Sequence, residues 1–156
     1  MTQPLLPRHF AHRAVCVVTR VGQTMNRMIE DSLEPVGLKL RHYTVLGSLA
    51  AEGAMSQQEI GGLLSMDPAT TATTVDDLER DGLLVRYREP DNRRKYAVEL
   101  TAAGRRTLKR AERALDVLEA DALGELRAAD RTQLRRLLGM LAYGERYPEL
   151  VRRRRR

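Results

Sequence analysis

The sequence predicts a mainly α fold of the α+β class, in which one small β-hairpin lies among helices. Aromatic residues make up only 4% of the 156 residues, so Leu, Val, Ala and Met must fill the core. These residues suit packed helices better than a β-sandwich. Apolar residues recur at intervals of three and four along most of the chain, which is the helical period. A single segment around Pro90 alternates apolar and polar residues instead, as a hairpin does.

A long first helix is predicted over residues 8–34. Pro7 suits its start, because the missing N–H of a proline would have no helical partner there. One apolar stripe at helical spacing consists of Ala14, Val18, Val21, Met25 and Met28. Pro35 ends this helix, and a shorter second helix is predicted over residues 41–51, with Gly53 after it.

Two further helices are joined by only a few residues. Residues 56–59 match a capping box, in which Ser and Glu satisfy each other's backbone N–H groups. The buried face of the helix that follows is predicted to consist of Ile60, Leu63 and Leu64. Asp67 and Pro68 signal the start of the next helix, which runs to about Asp81 and ends before Gly82. Two short helices so closely joined favour a helix-turn-helix.

The predicted hairpin carries most of its charge as arginine and lysine. Val85 and Tyr87 alternate with Arg86 and Arg88 before a turn at residues 90–92. After the turn, the apolar positions of the second strand are Tyr96, Val98 and Leu100. The loop side of the hairpin carries Arg93, Arg94 and Lys95. A helix-turn-helix followed by a basic hairpin predicts a winged helix-turn-helix.

Two C-terminal helices complete the predicted fold. Thr101 is expected to cap a helix that continues past Leu123, and Asp130 to cap a last helix closed by Gly144 and Pro148. One face of the last helix consists of Leu134, Leu137, Leu138 and Leu141. The long first helix cannot bury its whole stripe against so small a domain, so we expect a partner helix from a second copy.

The charge distribution favours a nucleic-acid partner. The net charge is +6, but residues 52–82 carry seven acids and one base, whereas residues 85–110 carry nine bases and three acids. Five arginines follow at residues 152–156. A basic surface attracts phosphate. The tail is expected to add non-specific phosphate affinity, with RNA contact or a non-native extension as alternatives.

Several other classes of protein are not indicated. No export signal or membrane-length apolar run is present, so a cytoplasmic location is expected. The one cysteine, Cys16, excludes an intramolecular disulfide. No Walker loop, dinucleotide glycine pattern or HExxH motif is present, so we predict no enzyme and assign no cofactor or metal.

The ordered motifs of the chain resemble the MarR family of bacterial transcription regulators over residues 8–143. The residues that carry the resemblance are Gly37-Leu38, Tyr43-x-x-Leu46, Ser56-Gln57-x-Glu59-Ile60, Val75-Asp76-x-Leu78-Glu79-x-x-Gly82-Leu83-Leu84-Val85-Arg86, Asn92-Arg93-Arg94 and Leu100-Thr101-x-x-Gly104. The wing of this family usually reads Asp-x-Arg. Here Arg94 takes the arginine position, Asn92 stands at the acid position, and Asp91 lies one residue earlier.

The resemblance implies a single domain over residues 1–156, with its middle segment, residues 38–101, as the winged helix-turn-helix. It implies that residues 8–34 and 102–146 form the helical dimerisation layer of a homodimer. A basic tail follows at residues 152–156. It further implies a regulator of transcription, most often a repressor on a pseudo-palindromic operator, released by a small and often aromatic ligand or by oxidation.

By this resemblance the recognition helix spans residues 68–81, and its outward positions are Ala69, Thr70, Thr73 and Thr74. Threonine hydroxyls and methyls can contact base edges, although a plain helix surface is the alternative. The expected wing and backbone contacts to double-stranded DNA are Arg86, Arg88, Arg93, Arg94, Lys95, Ser56 and Gln57.

Two further sets of residues have both a functional and a purely structural interpretation. The candidate effector pocket consists of Met28, His42, Tyr43 and Met66, for each of which core packing is the alternative. Cys16 shares a predicted helix face with His9 and His12, which leaves an oxidation switch, a zinc site or an ordinary surface. The alternative functions are accordingly a redox-gated regulator using Cys16 and a non-specific architectural DNA-binding protein.

Overall fold

The computed structural model describes residues 4–89, 92–145 and 149, and of residues 89 and 92–95 it describes the backbone alone. Within these residues the chain forms six α-helices and one hairpin. They are α1 (Ala14–Leu33), α2 (Leu40–Glu52), α3 (Gln57–Leu64), α4 (Pro68–Arg80), β1 (Leu84–Glu89), β2 (Asn92–Leu100), α5 (Ala102–Ala122) and α6 (Ala128–Tyr143). The mainly helical fold with one small antiparallel sheet is therefore confirmed. The chain divides into two compact units between Leu118 and Glu119.

The first helix begins six residues later than the sequence predicts. Pro7 precedes a 3-10 turn, Arg8–Phe10, and the backbone of Arg13 is extended just before α1. A proline restricts its own φ but does not specify which kind of helix follows. The prediction of one continuous helix from residue 8 is therefore wrong. His9 and His12 precede α1, so they do not share a helix face with Cys16.

The core of the first unit draws on five helices and both strands. Its buried residues are Leu33, Leu38, Val45, Leu46, Leu49, Ile60, Val75, Leu78, Leu84, Val98, Leu100, Leu108 and Ala111. Leu63 was predicted to be buried, but it is 54% exposed. Helix α3 instead turns Gly61 toward α4, where an added Cβ would lie 3.0 Å from Thr71 Oγ1. The close approach of two helices at a glycine therefore decides which face of α3 is buried.

The wing is an antiparallel hairpin with a short third partner. Leu84 pairs with Leu100 and Arg86 with Val98, so the side chains of Arg86 and Val98 share one face of the sheet. Val98 also forms a β-bridge with Met55. The N–H of Met55 donates to the carbonyl of Val98 (N to O, 3.1 Å), and the N–H of Val98 donates to the carbonyl of Met55 (2.8 Å). The sequence did not predict this bridge. It joins the wing to the segment just before α3.

The ends of the helices follow the predicted signals closely but not everywhere. Thr101 Oγ1 accepts a hydrogen bond from the N–H of Gly104, as expected of a helix cap. Helix α5 ends at Ala122 instead of continuing past Leu123. Helix α6 begins at Ala128, so Asp130 lies inside its first turn and is not the cap. An acid is also favourable in that turn, because it faces the positive end of the helix dipole.

Apolar side chains remain exposed on two of the helices that were predicted to dimerise. On α1 they are Val15, Val18 and Val21, and on α6 they are Leu137, Leu138, Met140, Leu141 and Tyr143. None of the described residues of α6 is buried. Among the residues described, no helix is long and apolar enough to cross a membrane.

Candidate nucleic-acid interface

Helices α3 and α4 form a tightly capped helix-turn-helix. The Ser56 hydroxyl accepts a hydrogen bond from the N–H of Glu59 (3.2 Å), and the carboxylate of Glu59 accepts one from the N–H of Ser56 (2.7 Å). The predicted capping box is therefore confirmed. Ser65 ends α3 in the left-handed conformation, with φ of 53°, which makes the sharp turn possible.

The N-terminus of α4 is capped by Asp67. Its carboxylate accepts hydrogen bonds from the hydroxyl (2.6 Å) and the N–H (2.9 Å) of Thr70. These two bonds lower the pKa of Asp67, the one from the side chain contributing most. The start of α4 is thus held rigid by a charged cap.

The exposed face of α4 differs by one residue from the prediction. Ala69, Thr70 and Thr73 are exposed as expected. Thr74 was predicted to point outward, but it is fully buried and its hydroxyl donates to the carbonyl of Thr70 (2.7 Å). Thr74 lies on the same buried side of α4 as Thr71, and Thr71 packs against Gly61 of α3.

The outward stripe of α4 continues into charged residues. At helical spacing after Ala69 and Thr73 come Asp76 and Arg80, with side chains 60% and 70% exposed. The hydroxyl of Thr73 donates to the carbonyl of Ala69 (3.0 Å). The methyl group and the lone pairs of Thr73 are therefore what this residue offers to a ligand.

Asp77 contacts Arg80 on its own helix and two residues of α2, Arg41 and His42. Its carboxylate lies 2.7 Å from Arg80 Nη2, 3.5 Å from Arg41 Nη2 and 3.6 Å from His42 Nε2. The hydrogen bond from Arg80 is the main reason why the pKa of Asp77 is lowered. His42 is buried, and its Nδ1 accepts a hydrogen bond from the N–H of Lys39 (3.3 Å). The imidazole of His42, on α2, therefore faces Asp77 of α4.

Folding stability is expected to fall as the pH is lowered through the titration of His42. Burial lowers the pKa of His42 below its usual 6.5, Arg41 acts in the same direction, and Asp77 opposes both. Below about pH 6.5 the unfolded chain binds a proton at this histidine more readily than the folded one, so acid favours unfolding. Urea unfolding at pH 7.5 and pH 5.5 measures the effect. The His42→Gln variant should show a smaller pH dependence, and an equal dependence in both proteins would contradict the assignment.

Two wing arginines have different surroundings. The guanidinium of Arg86 contacts the carboxylates of Asp76 and Glu79 on α4, and its side chain is only 26% exposed. Arg88 is exposed, donates from Nε to the hydroxyl of Tyr96 (3.0 Å) and lies over the ring of that residue. The side chains of Arg93, Arg94 and Lys95 lie outside the described residues, as do Asp91 and residues 152–156.

The remaining candidate residues lie in the cap of α3, on α1 and in the packing around the core. The hydroxyl of Ser56 is used by the cap, and Gln57 is half-buried beside it. Tyr43 and Met66 both pack against the core, and burial raises the pKa of Tyr43 with further contributions from Glu112 and Asp116. Met28 is half-buried on α1.

The N-terminal candidates do not form a cluster in the structure. Cys16 is a half-buried thiol on α1, whereas His9 lies in the preceding 3-10 turn. In the part of the chain that the structure describes, no group of three His, Cys, Asp or Glu residues is arranged to hold a metal ion. Oxidation of Cys16 stays a prediction.

Known proteins resemble this chain along most of its length. Residues 38–96 match the family model described as MarR family. The HTH-type transcriptional repressor Rv2887 of Mycobacterium tuberculosis (strain ATCC 25618 / H37Rv) is 30% identical over 122 residues, which cover 78% of this chain and 88% of that protein.

Solved structures resemble the fold. A MarR family transcriptional regulator from Rhodococcus sp. RHA1 has a TM-score of 0.78 at 25% identity, covering 88% of this chain and 97% of that one. CouR from Rhodococcus jostii RHA1, solved bound to p-coumaroyl-CoA, has a TM-score of 0.74 at 26% identity, covering 92% and 97%.

Proposed function

Because the chain belongs to the MarR family of winged helix-turn-helix transcriptional regulators, we propose that it is a homodimeric repressor that binds a pseudo-palindromic operator and is released by a small ligand. The observation that carries the proposal is the capped N-terminal half of α4, which exposes Ala69, Thr70 and Thr73 from a rigid helix-turn-helix. Small side chains at the start of a helix let the helix enter the major groove closely and read base edges.

Affinity and sequence reading are divided between two elements in this proposal. Helix α4 carries Asp76, Asp77 and Glu79 against one arginine, so it cannot supply the attraction to phosphate. The hairpin supplies it, through Arg88 and the three cations at residues 93–95. Threonine contacts to bases would then set the preference for one sequence, and the wing would set the binding strength and its dependence on salt.

The exposed apolar residues of α1 and α6 support a second copy as partner. Each helix leaves a row of aliphatic side chains in contact with solvent, and exposed rows of this kind mark protein interfaces. A dimer with two-fold symmetry would present two copies of α4 to half-sites about one helical turn, ~10 bp, apart. This spacing accounts for the expected pseudo-palindrome.

A ligand would act by changing that spacing. CouR, to which this chain is similar, was solved bound to p-coumaroyl-CoA, which supports an aromatic effector for this protein as well. A ligand that binds better to the form with wrongly spaced recognition helices lowers DNA affinity by linkage. Tyr43, His42, Met28 and Met66 remain the proposed lining of its site.

The test is fluorescence anisotropy with DNA from upstream of the protein's own gene and with a scrambled duplex of equal composition. Thr73→Ala should weaken binding to the upstream DNA by about 1–3 kcal/mol, the usual value of one base contact, and leave the scrambled duplex unaffected. Thr132→Ala on α6 is the matched control, because Thr132 is also exposed and its hydroxyl also donates to the carbonyl four residues earlier (3.0 Å). Arg94→Ala should weaken binding to both duplexes. It should also reduce the slope of log K against log salt by about 0.9, the value for one phosphate contact.

Two outcomes would contradict the proposal. Equal wild-type affinity for both duplexes, with a steep salt dependence, would favour the architectural DNA-binding alternative. No binding to any duplex at low salt would exclude DNA recognition by the unliganded protein. Sedimentation of the same samples determines whether the DNA-bound species is a dimer.

A further inference from the structure

Arg86 lies at the base of the wing, where β1 meets the second half of α4. Its Nη1 is 3.1 Å from Glu79 Oε2, and its Nη2 contacts the carboxylate of Asp76. The backbone N–H of Arg86 also donates to Glu79 Oε1 (3.3 Å). Two acids of α4 therefore hold one residue of the wing through both its side chain and its backbone.

We propose that Arg86 is a positioning residue for DNA binding, which neutralises Asp76 and Glu79 and fixes the wing against α4 without contacting phosphate. The inference rests on the DNA-binding function proposed above. It differs from the expectation of the sequence, in which Arg86 belonged to the phosphate-binding surface together with Arg88.

The charges of α4 give the first reason. Asp77 has Arg80 and Arg41 beside it, and among the described residues Arg86 is the cation within ion-pair distance of both Asp76 and Glu79, while Arg80 acts on Asp76 at longer range. Asp76 lies on the outward stripe of α4, next to Thr73 along the helix. Without Arg86, Asp76 and Glu79 would lose this ion pair beside a surface that approaches a phosphate backbone, and like charges oppose association.

The surroundings of the guanidinium give the second reason. The side chain of Arg86 is 26% exposed, and its buried Nε has no hydrogen-bond partner among the residues that the structure describes. To reach a phosphate, the guanidinium would have to leave both carboxylates and leave their negative charges without this partner beside the DNA. Arg86 therefore gains more by staying between the two acids than by contacting DNA.

The connection of Arg86 to the rest of the wing gives the third reason. Arg86 pairs across the hairpin with Val98, and Val98 forms the bridge to Met55 just before α3. A shift of Arg86 would thus move both strands relative to the helix-turn-helix. The contacts of Arg86 with α4 set the angle at which the wing meets DNA that α4 has entered.

A double-mutant cycle separates this role from a phosphate contact. The variants are Arg86→Gln, the pair Asp76→Asn/Glu79→Gln, and all three changes together, each titrated with the upstream duplex over several salt concentrations. We expect Arg86→Gln to weaken binding about tenfold in the wild-type background but by less than about twofold when both acids are already neutral. Arg88→Gln is the matched control, since Arg88 lies two residues further along β1 and should weaken binding equally in both backgrounds.

The salt dependence provides an independent measure. Loss of a phosphate contact reduces the slope of log K against log salt by about 0.9, which is expected of Arg88→Gln but not of Arg86→Gln. An equal loss for Arg86→Gln in both backgrounds, together with a reduced slope, would overturn the proposal and assign Arg86 to phosphate binding.

A measurement without DNA distinguishes failure of this inference from failure of the proposed function. In hydrogen exchange, Arg86→Gln should reduce the protection of backbone amides in β1 and in β2 near Val98, and Arg88→Gln should not. If the wild type binds no DNA, the proposed function fails by that result alone. Unchanged protection in Arg86→Gln would show that Arg86 does not fix the wing, whatever the wild type binds.

Discussion

Replacing Gly104 with alanine is expected to destabilise the protein by about 3 kcal/mol or more. A Cβ built on Gly104 would lie 2.1 Å from the carbonyl oxygen of Leu83 and 3.0 Å from Leu100 Cδ2. The first distance is far below any real contact, so backbone atoms must move.

The carbonyl of Leu83 cannot move away at low cost. It accepts a hydrogen bond from the N–H of Thr101 (3.1 Å). The hydroxyl of Thr101 donates to the neighbouring carbonyl of Gly82 (2.8 Å), lies 3.2 Å from the oxygen of Leu83, and accepts from the N–H of Gly104 (3.0 Å). Moving either segment therefore breaks the cap of α5 as well as the join between α4 and the wing. The clash and the lost hydrogen bonds add in the same direction.

Gly47→Ala is the matched control, because Gly47 also lies within a helix but has open space around its Cβ position. Alanine is favoured over glycine in a helix by about 0.5–1 kcal/mol, so this variant should be slightly more stable than the wild type. Thermal unfolding measures both, and a loss of 3 kcal/mol lowers Tm by about 10 °C in a chain of this size. Equal Tm values for Gly104→Ala and the wild type would contradict the close packing.

Replacing Ile60 with alanine is expected to cost about 2–5 kcal/mol, the usual range for removing a large buried aliphatic side chain. Ile60 on α3 is 0% exposed and belongs to the cluster of buried residues that joins the helix-turn-helix to the wing. The loss has two parts, the hydrophobic burial of the side chain and the cavity that remains.

Leu63→Ala, one turn further along α3, is the control for that experiment. Leu63 is 54% exposed, so we expect a change within about 0.5 kcal/mol, typical of a surface position. Urea unfolding of both variants gives the comparison. Similar losses for the two variants would mean that the buried face of α3 is the one that the sequence predicted.

Local signals in the sequence predicted most of the elements and several of their ends. The capping box at Ser56, the cap at Thr101 and the end of α4 before Gly82 each depend on side chains within a few residues, so they can be recognised without the fold. The late start of α1 shows the limit of this approach. Pro7 is compatible with a 3-10 turn as well as an α-helix, and no local signal distinguishes them.

The candidate site was less predictable, because the roles of its residues depend on distant partners. Thr73 and Thr74 are adjacent and identical in chemistry, yet Thr73 is exposed and Thr74 is buried on the inner side of α4. Arg86 and Arg88 alternate in one strand, yet only Arg86 contacts two acids of α4, seven and ten residues earlier in the chain. His42 likewise contacts Asp77, which lies far along the sequence.

By itself the sequence determined the fold class, the order of the helices and the hairpin, and the family of the protein, because periodicity, caps and motif order are properties of neighbouring residues. Only the tertiary structure decided that Thr73 faces outward and Thr74 inward, that Arg86 pairs with two acids of α4, and that a Cβ at Gly104 would clash with Leu83. These outcomes depend on the angles and distances at which separate elements pack. A one-residue rotation of a helix or strand changes them without changing any local pattern.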